Sequence, residues 1–217
     1  MSNAQPILHT IDPELKTRIV DRRDLFRSVA MKLGAVASAP IVLAAVSTQA
    51  FPEGLPADVA EVLNFALTLE YLEDEFYQKA LAQSGLINKE FVAVFQQIGK
   101  HETEHVALLK GALGSAAVAK PEFDFTAKGK YADVFKDFKT FALVSQTFEE
   151  TGVAAYKGQA PALAGDILTT ALRIHSVEAR HASEIRRIRG VELWTGAFDK
   201  PLTKAEVLAA VKPFIVA

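Results

Sequence analysis

The sequence predicts an all-α protein: a four-helix bundle with one long crossover between its second and third helices, followed by a short C-terminal helix. Three observations lead there. No β-alternation of useful length occurs in the chain, and apolar residues recur at helical spacing in four long segments. The middle two of these segments are separated by a stretch around Pro121 with no helical period, which suits two helical hairpins joined by one crossover.

The first helix is expected from about Ala57 to Ser84, where Leu63, Ala66, Glu70, Glu73, Tyr77 and Ala80 share one face. "SGLIN" reads as the turn, with Asn88 as N-cap of a second helix that runs to about Leu113. Its stripe holds Phe91, Phe95, Ile98, Glu102, His105, Leu109 and Ala112, and Gly114 closes it. "SAAVAKPEFDFTAKGK" is the crossover. About 17 extended residues reach ~56 Å and a 26-residue helix is ~39 Å long, so the link can run the length of the bundle and leave helices two and three parallel.

The third helix is expected to start near Tyr131, with Phe135, Phe138, Ala142, Ser145, Glu149, Gly152 and Tyr156 inward. Glycines and a proline in "KGQAPALAG" break it. The fourth runs from about Asp166 to Arg189, with Ile167, Ala171, Ile174, Glu178, His181, Ile185 and Ile188 inward. Thr203 to Glu206 has capping-box spacing and starts the terminal helix.

Composition sets limits on function. The 217 residues carry a net charge of −2 and no broad basic face, which argues against nucleic acid as a partner. With no cysteine there are no disulfides, zinc knuckles, iron–sulfur clusters or thiol nucleophiles, and no rubredoxin-like electron relay. Residues 1–50 have the layout of an export signal: Arg22-Arg23, a mainly apolar stretch from Leu33 to Val46, and small residues at Thr48 and Ala50 before Phe51. The paired arginines resemble a twin-arginine signal. The apolar stretch is shorter than the ~20 residues needed to span a bilayer. The expectation is therefore a periplasmic or otherwise exported protein, without membrane contact once the signal is cleaved. Residues 51–190 would form the bundle and 191–217 an extension.

Each predicted helix places a carboxylate in its apolar stripe: Glu70, Glu102, Glu149 and Glu178. Two of them have a histidine one turn on, His105 and His181. The arrangement repeats: Gly114 follows Glu102 by twelve residues as Gly190 follows Glu178, and Tyr77 follows Glu70 by seven as Tyr156 follows Glu149. A single Glu-x-x-His on a helix is usually a solvated pair. Four buried carboxylates are another matter, because each ionised one costs several kcal/mol unless it is paired or bound to metal. Two divalent cations would cancel four negative charges, and imidazole with carboxylate suits iron or manganese. Glu150 competes with Glu149 on level along the bundle, while stripe and tyrosine spacing favour Glu149. Glu73, one turn from Glu70, is a reserve ligand, and His175 lies within reach of the same stripe. His101, about 100° from Glu102, is expected at the helix boundary.

Beyond this pattern, "ALTLEYLEDEFY", "KPEFDF", "EETGVAAYKGQAP" and "VEARHASEIR" resemble the ferritin-like domain family related to desiccation-related proteins, from about Leu55 to Gly190. The resemblance implies a ferritin-like bundle holding two iron ions, with two manganese ions as the alternative. By the same analogy Glu102 and Glu178 bridge the ions. Glu70 with His105 completes one ligand set, and Glu149 with His181 the other. Tyr77 and Tyr156 would hold carboxylates in place. O₂ or H₂O₂ would be the partner, in Fe²⁺ oxidation or peroxide removal for stress protection; a manganese-catalase-like activity stays open. The alternative is a non-enzymatic structural or interaction protein with a structural metal pair. A second apolar stripe on helix one, Phe65, Leu69, Leu72 and Phe76, must be covered either by the chain's own crossover or C-terminal segment, or by a second copy or a membrane surface.

Overall fold

The structure, a computed structural model, describes residues 54–216; the expected export signal over residues 1–50 lies outside the described residues. Five α-helices are described: α1 Ala57–Leu81, α2 Val92–Leu113, α3 Phe138–Gln159, α4 Gly165–Arg189 and α5 Lys204–Val211. The hairpins α1–α2 and α3–α4 form the bundle, and α5 packs on α3. No described helix is long and apolar enough to cross a membrane.

The helix ends follow local chemistry, and three differ from expectation. The first helix stops at Leu81 rather than Ser84, in a turn closed by the Gln83 N–H on the Ala80 carbonyl. Asn88 does not cap α2: its backbone carbonyl takes the Phe91 N–H in a turn, and the helix begins at Val92. The third helix begins at Phe138, seven residues after Tyr131. Asp137 is its N-cap, extended at φ −121° and accepting the Thr140 N–H at 2.7 Å. Upstream, Asp124 accepts from the Thr126 and Lys128 amides, and these side-chain bonds fold residues 124–136 into turns instead of a first helical turn. At the C-terminal end, Gly190 adopts φ 69° and Thr203 with Glu206 forms the expected capping box.

The crossover climbs α1 from its N-terminal end. Asn64 bonds Ala116 and Val118, Tyr71 donates to the Val118 carbonyl, Lys120 pairs with Glu75, and Phe125 packs on Phe76. The start of α2 meets the start of α3, where Phe91 stacks on Phe138 and Phe95 packs at a tilt on Phe141. These two helices therefore run parallel, as a lengthwise crossover requires.

The outer stripe of α1 is fully covered by its own chain. Phe65, Leu69, Leu72 and Phe76 are all buried. Phe76 sits among Phe125, Phe135, Phe141 and Phe148, and Phe148 in turn meets Phe214 from the C-terminal segment. That segment is itself tied to the crossover, with Phe123 bridged to Ile215. The stripe is thus not a contact surface for a second copy, which corrects that reading.

The extension reaches α5 by crossing α3 at Gly158. Leu202 donates to the Ala154 carbonyl at 3.1 Å, and a Cβ on Gly158 would fall 1.8 Å from the Leu202 carbonyl oxygen. Backbone cannot move aside as a side-chain tip can. Gly158→Ala should cost about 1–3 kcal/mol in urea unfolding and speed hydrogen exchange in residues 200–211. Unchanged stability and exchange would show that this crossing is not a close packing contact.

Candidate metal centre

Four helices bring the six expected residues to one level. Glu70, Glu102, Glu149 and Glu178 have no solvent exposure, and His105 and His181 retain only 8% and 5%. Each follows from its helix stripe: 3.6 residues per turn carries the carboxylates inward with the phenylalanines and isoleucines around them. His105 Nδ1 lies 3.0 Å from Glu178 Oε1, 3.1 Å from Glu102 Oε2 and 3.2 Å from Glu70 Oε2. His181 Nδ1 lies 2.9 Å from Glu102 Oε1, 3.1 Å from Glu149 Oε2 and 3.8 Å from Glu178 Oε2. Two groups result, Glu70–Glu102–His105–Glu178 and Glu102–Glu149–Glu178–His181, each with ligand-capable atoms within 4.8 Å of one another. They share Glu102 and Glu178.

The hydrogen bonds separate the outer carboxylates from the shared ones. Tyr156, on α3, donates to Glu70 Oε1 on α1, and Tyr77, on α1, donates to Glu149 Oε1 on α3, each at 2.5 Å. Each tyrosine braces the carboxylate of the other hairpin. By contrast Glu102 Oε1 and both oxygens of Glu178 are buried without accepting a hydrogen bond; their short distances to imidazole nitrogens lack hydrogen-bond geometry. A buried, unsatisfied carboxylate oxygen carries the full penalty of desolvation. A cation removes it. The residues therefore fit a metal pair, with oxygen-rich sets completed by one imidazole each.

Proton affinities respond to the same crowding. Burial and the Glu149 charge push Glu102 up to about 7. Burial, with Glu178 adding to it against the opposing charge of His181, pushes Glu149 up to about 7. Burial alone would also raise Glu70, but the His105 charge and the bonds from His105 and Tyr156 more than offset it and lower it. Both histidines go the other way from what burial dictates, held high by Glu70 and Glu149 respectively and by the shared carboxylates.

The reserve residues divide. Glu73 is buried in the same cluster, and burial with the charges of Glu178 and Glu149 raises it well above the usual carboxylate range. It belongs to neither ligand group. It shares its space with Gly152, where a Cβ would lie 3.3 Å from Glu73 Oε1 and 3.6 Å from Glu178 Oε2. Glu150 points outward and accepts from Arg186 at 2.6 Å, so Glu149 is the inward residue. His175 is not at the centre: its proton affinity is lowered by burial and by Lys157, and its Nε2 has no partner. His101 stands at the helix boundary as expected, but its partner was not foreseen. It is only half-buried, yet its Nδ1 lies 2.8 Å from His181 Nε2. The available signal was its four-residue spacing from His105, which puts both rings on one helix face. Beside them a groove of about 420 Å³ opens between α2 and α4, lined by Gln97, Ile98, His101, Val177, Arg180, His181 and Glu184.

A profile of the ferritin-like domain family matches residues 58–191, which spans α1 to α4 and all six residues of the two groups. No curated protein sequence matches the chain.

Metal uptake must displace the protons that Glu102 and Glu149 hold up to about 7, along with those on the imidazoles. Affinity should therefore rise with pH and fall as pH drops through that value. Calorimetric titration with Mn²⁺ should give an affinity about tenfold weaker per unit of pH per proton released; a pH-independent affinity would contradict the cluster's protonation. Gly152→Ala should crowd Glu73 and Glu178 and weaken Mn²⁺ binding about tenfold, within the range for groups that orient ligands, with far-ultraviolet circular dichroism unchanged.

Proposed function

The chain belongs to the ferritin-like domain family, and from that premise we propose that it binds two iron ions, or two manganese ions in the alternative, and uses them to oxidise Fe²⁺ or to remove peroxide. The observation that carries this reading is the set of unsatisfied buried oxygens on Glu102 and Glu178, the two residues common to both ligand groups. Glu102 and Glu178 would bridge, Glu70 and His105 would complete one set, and Glu149 and His181 the other. Bound there, a redox-active pair would supply electrons to O₂ or H₂O₂.

The residues of the chain do the rest. Tyr77 and Tyr156 fix the outer carboxylates by donated hydrogen bonds, so little reorganisation is needed when charge changes. Glu73, whose proton affinity burial and the neighbouring carboxylates raise, lines the space beside Gly152 together with Glu178. The aromatic layer of Phe76, Phe141 and Phe148 excludes water from the α1–α3 side. The export reading joins here as a proposal: a twin-arginine signal would deliver a folded chain already loaded with metal, for stress protection outside the cytoplasm.

A structural pair without turnover is the second reading, and the complete burial of all four carboxylates favours it. Elemental analysis of the chain from Phe51 onward, expressed with iron and manganese supplied, separates the possibilities. The expected result is about two ions per chain, lost in His105→Ala/His181→Ala, with Fe²⁺ or H₂O₂ consumed catalytically by the loaded protein. Two bound ions without turnover would favour the structural pair. A folded chain that binds no metal would refute both.

A further inference from the structure

The two halves of the site repeat every ligand, but the residue before the shared carboxylate differs. It is His101 before Glu102 and Val177 before Glu178. Only one of the two ligand histidines therefore has an imidazole behind it. His181 turns Nδ1 toward Glu102, Glu149 and Glu178 and leaves Nε2 at 2.8 Å from His101 Nδ1. The ring planes differ by 11°, so the N–H of one and the in-plane lone pair of the other can share a line. His105 presents Nδ1 to its own carboxylates in the same way, but its Nε2 has no hydrogen-bond partner among the described residues.

The far side of His101 is prepared for this role. Its Nε2 lies 2.6 Å from the nitrogen of the Gln97 side-chain amide, a place the amide oxygen takes when the group is flipped. With the amide turned to present its oxygen, Gln97 accepts the Nε2–H, and His101 Nδ1 is left as the acceptor. The chain Gln97–His101–His181 thus runs from the α2–α4 groove to the carboxylates.

We infer that His101 is a positioning residue for His181: it accepts the Nε2–H, fixes Nδ1 toward Glu102 and Glu149, and makes the metal position at Glu149 and His181 tighter than the one at Glu70 and His105. The inference rests on the two-metal reading above. A ligand histidine whose distal N–H is held keeps one tautomer and one orientation, and loss of such a partner typically costs about 10–100-fold in metal affinity. The six ligands are matched between the halves, and His101 is the asymmetry in what stands behind the two ligand histidines.

The test is a Mn²⁺ titration of the metal-free chain, followed by anomalous diffraction from crystals grown at limiting Mn²⁺ to locate the first ion. Wild type should bind in two unequal steps, the first at Glu149 and His181. His101→Val, which copies the other half, should weaken that step about 10–100-fold and leave the other unchanged, so that the steps converge. His101→Gln retains a carbonyl acceptor and should recover part of the loss, which a general packing defect would not. In the metal-free chain, a ¹⁵N–¹⁵N coupling across the His181–His101 hydrogen bond is expected and should be absent in either variant. Two equal steps in wild type, first filling at Glu70 and His105, or unchanged affinities in His101→Val would overturn the inference. No Mn²⁺ or Fe²⁺ binding in wild type would instead sink the two-metal reading beneath it.

Discussion

Four carboxylates without solvent access, enclosed between two helical hairpins, are the constraint on which the rest of this structure depends. Two imidazoles in the cluster can neutralise at most two of the four charges, and each supplies only one Nδ1–H to the carboxylates around it. Hydrogen bonding therefore runs out before the oxygens do, at Glu102 Oε1 and at both oxygens of Glu178. The excess charge has two outlets. Some carboxylates keep protons, which is why Glu102 and Glu149 are pushed up to about 7. Otherwise cations replace those protons, and the geometry that cannot satisfy the oxygens by hydrogen bonding is the geometry a metal pair needs.

The packing around the cluster follows from the same constraint. Carboxylates that repel one another would drive the hairpins apart unless something ties them together. The tyrosines do this by crossing: Tyr77 on α1 reaches Glu149 on α3, and Tyr156 on α3 reaches Glu70 on α1. Behind them the crossover and C-terminal segment bury the outer side of α1, so Phe76 joins bundle, crossover and α3 in one aromatic group. The crossover is therefore part of the wall of the site as well as a connection. It keeps the dielectric low on that side.

Much of this was legible in the sequence, for a physical reason. A helix stripe is periodic, and a polar residue inside it stands out against the apolar residues at the same phase; Glu70, Glu102, Glu149 and Glu178 were visible in that way, and the doubled Glu-x-x-His and Glu-to-Tyr spacings strengthened them. Periodicity also separated Glu149 from Glu150. What it could not show was structure held by individual side-chain bonds. The helical period of Phe135 and Phe138 suggested a start near Tyr131, but the Asp124 turn and the Asp137 cap delay α3 to Phe138. The crossing of the tyrosines between hairpins depends on tertiary approach, which spacing within one helix does not encode. His101 stands at the boundary where its angle around α2 put it, but spacing within α2 could not show its partner, His181, which is on another helix.

The distribution of burial around the centre also bears on how a substrate would reach it. The carboxylates lie under the aromatic layer, and the small exposure that remains belongs to His105 and His181. The groove against His181 is walled by α2 and α4 and carries Gln97, His101, Arg180 and Glu184 at its sides. A site that served only to pin helices together would gain from being sealed on every face, since each water admitted competes for the ligands. Here one face is sealed by phenylalanines while the other ends in imidazoles that lead to a groove between α2 and α4. Under the proposed function, a small oxidant or Fe²⁺ would approach along α2 and α4. The histidines would then be both the ligands of the metal pair and the part of the site nearest to solvent, which makes the hydrogen bond behind His181 the point where the protein can tune one metal position without disturbing the sealed carboxylates.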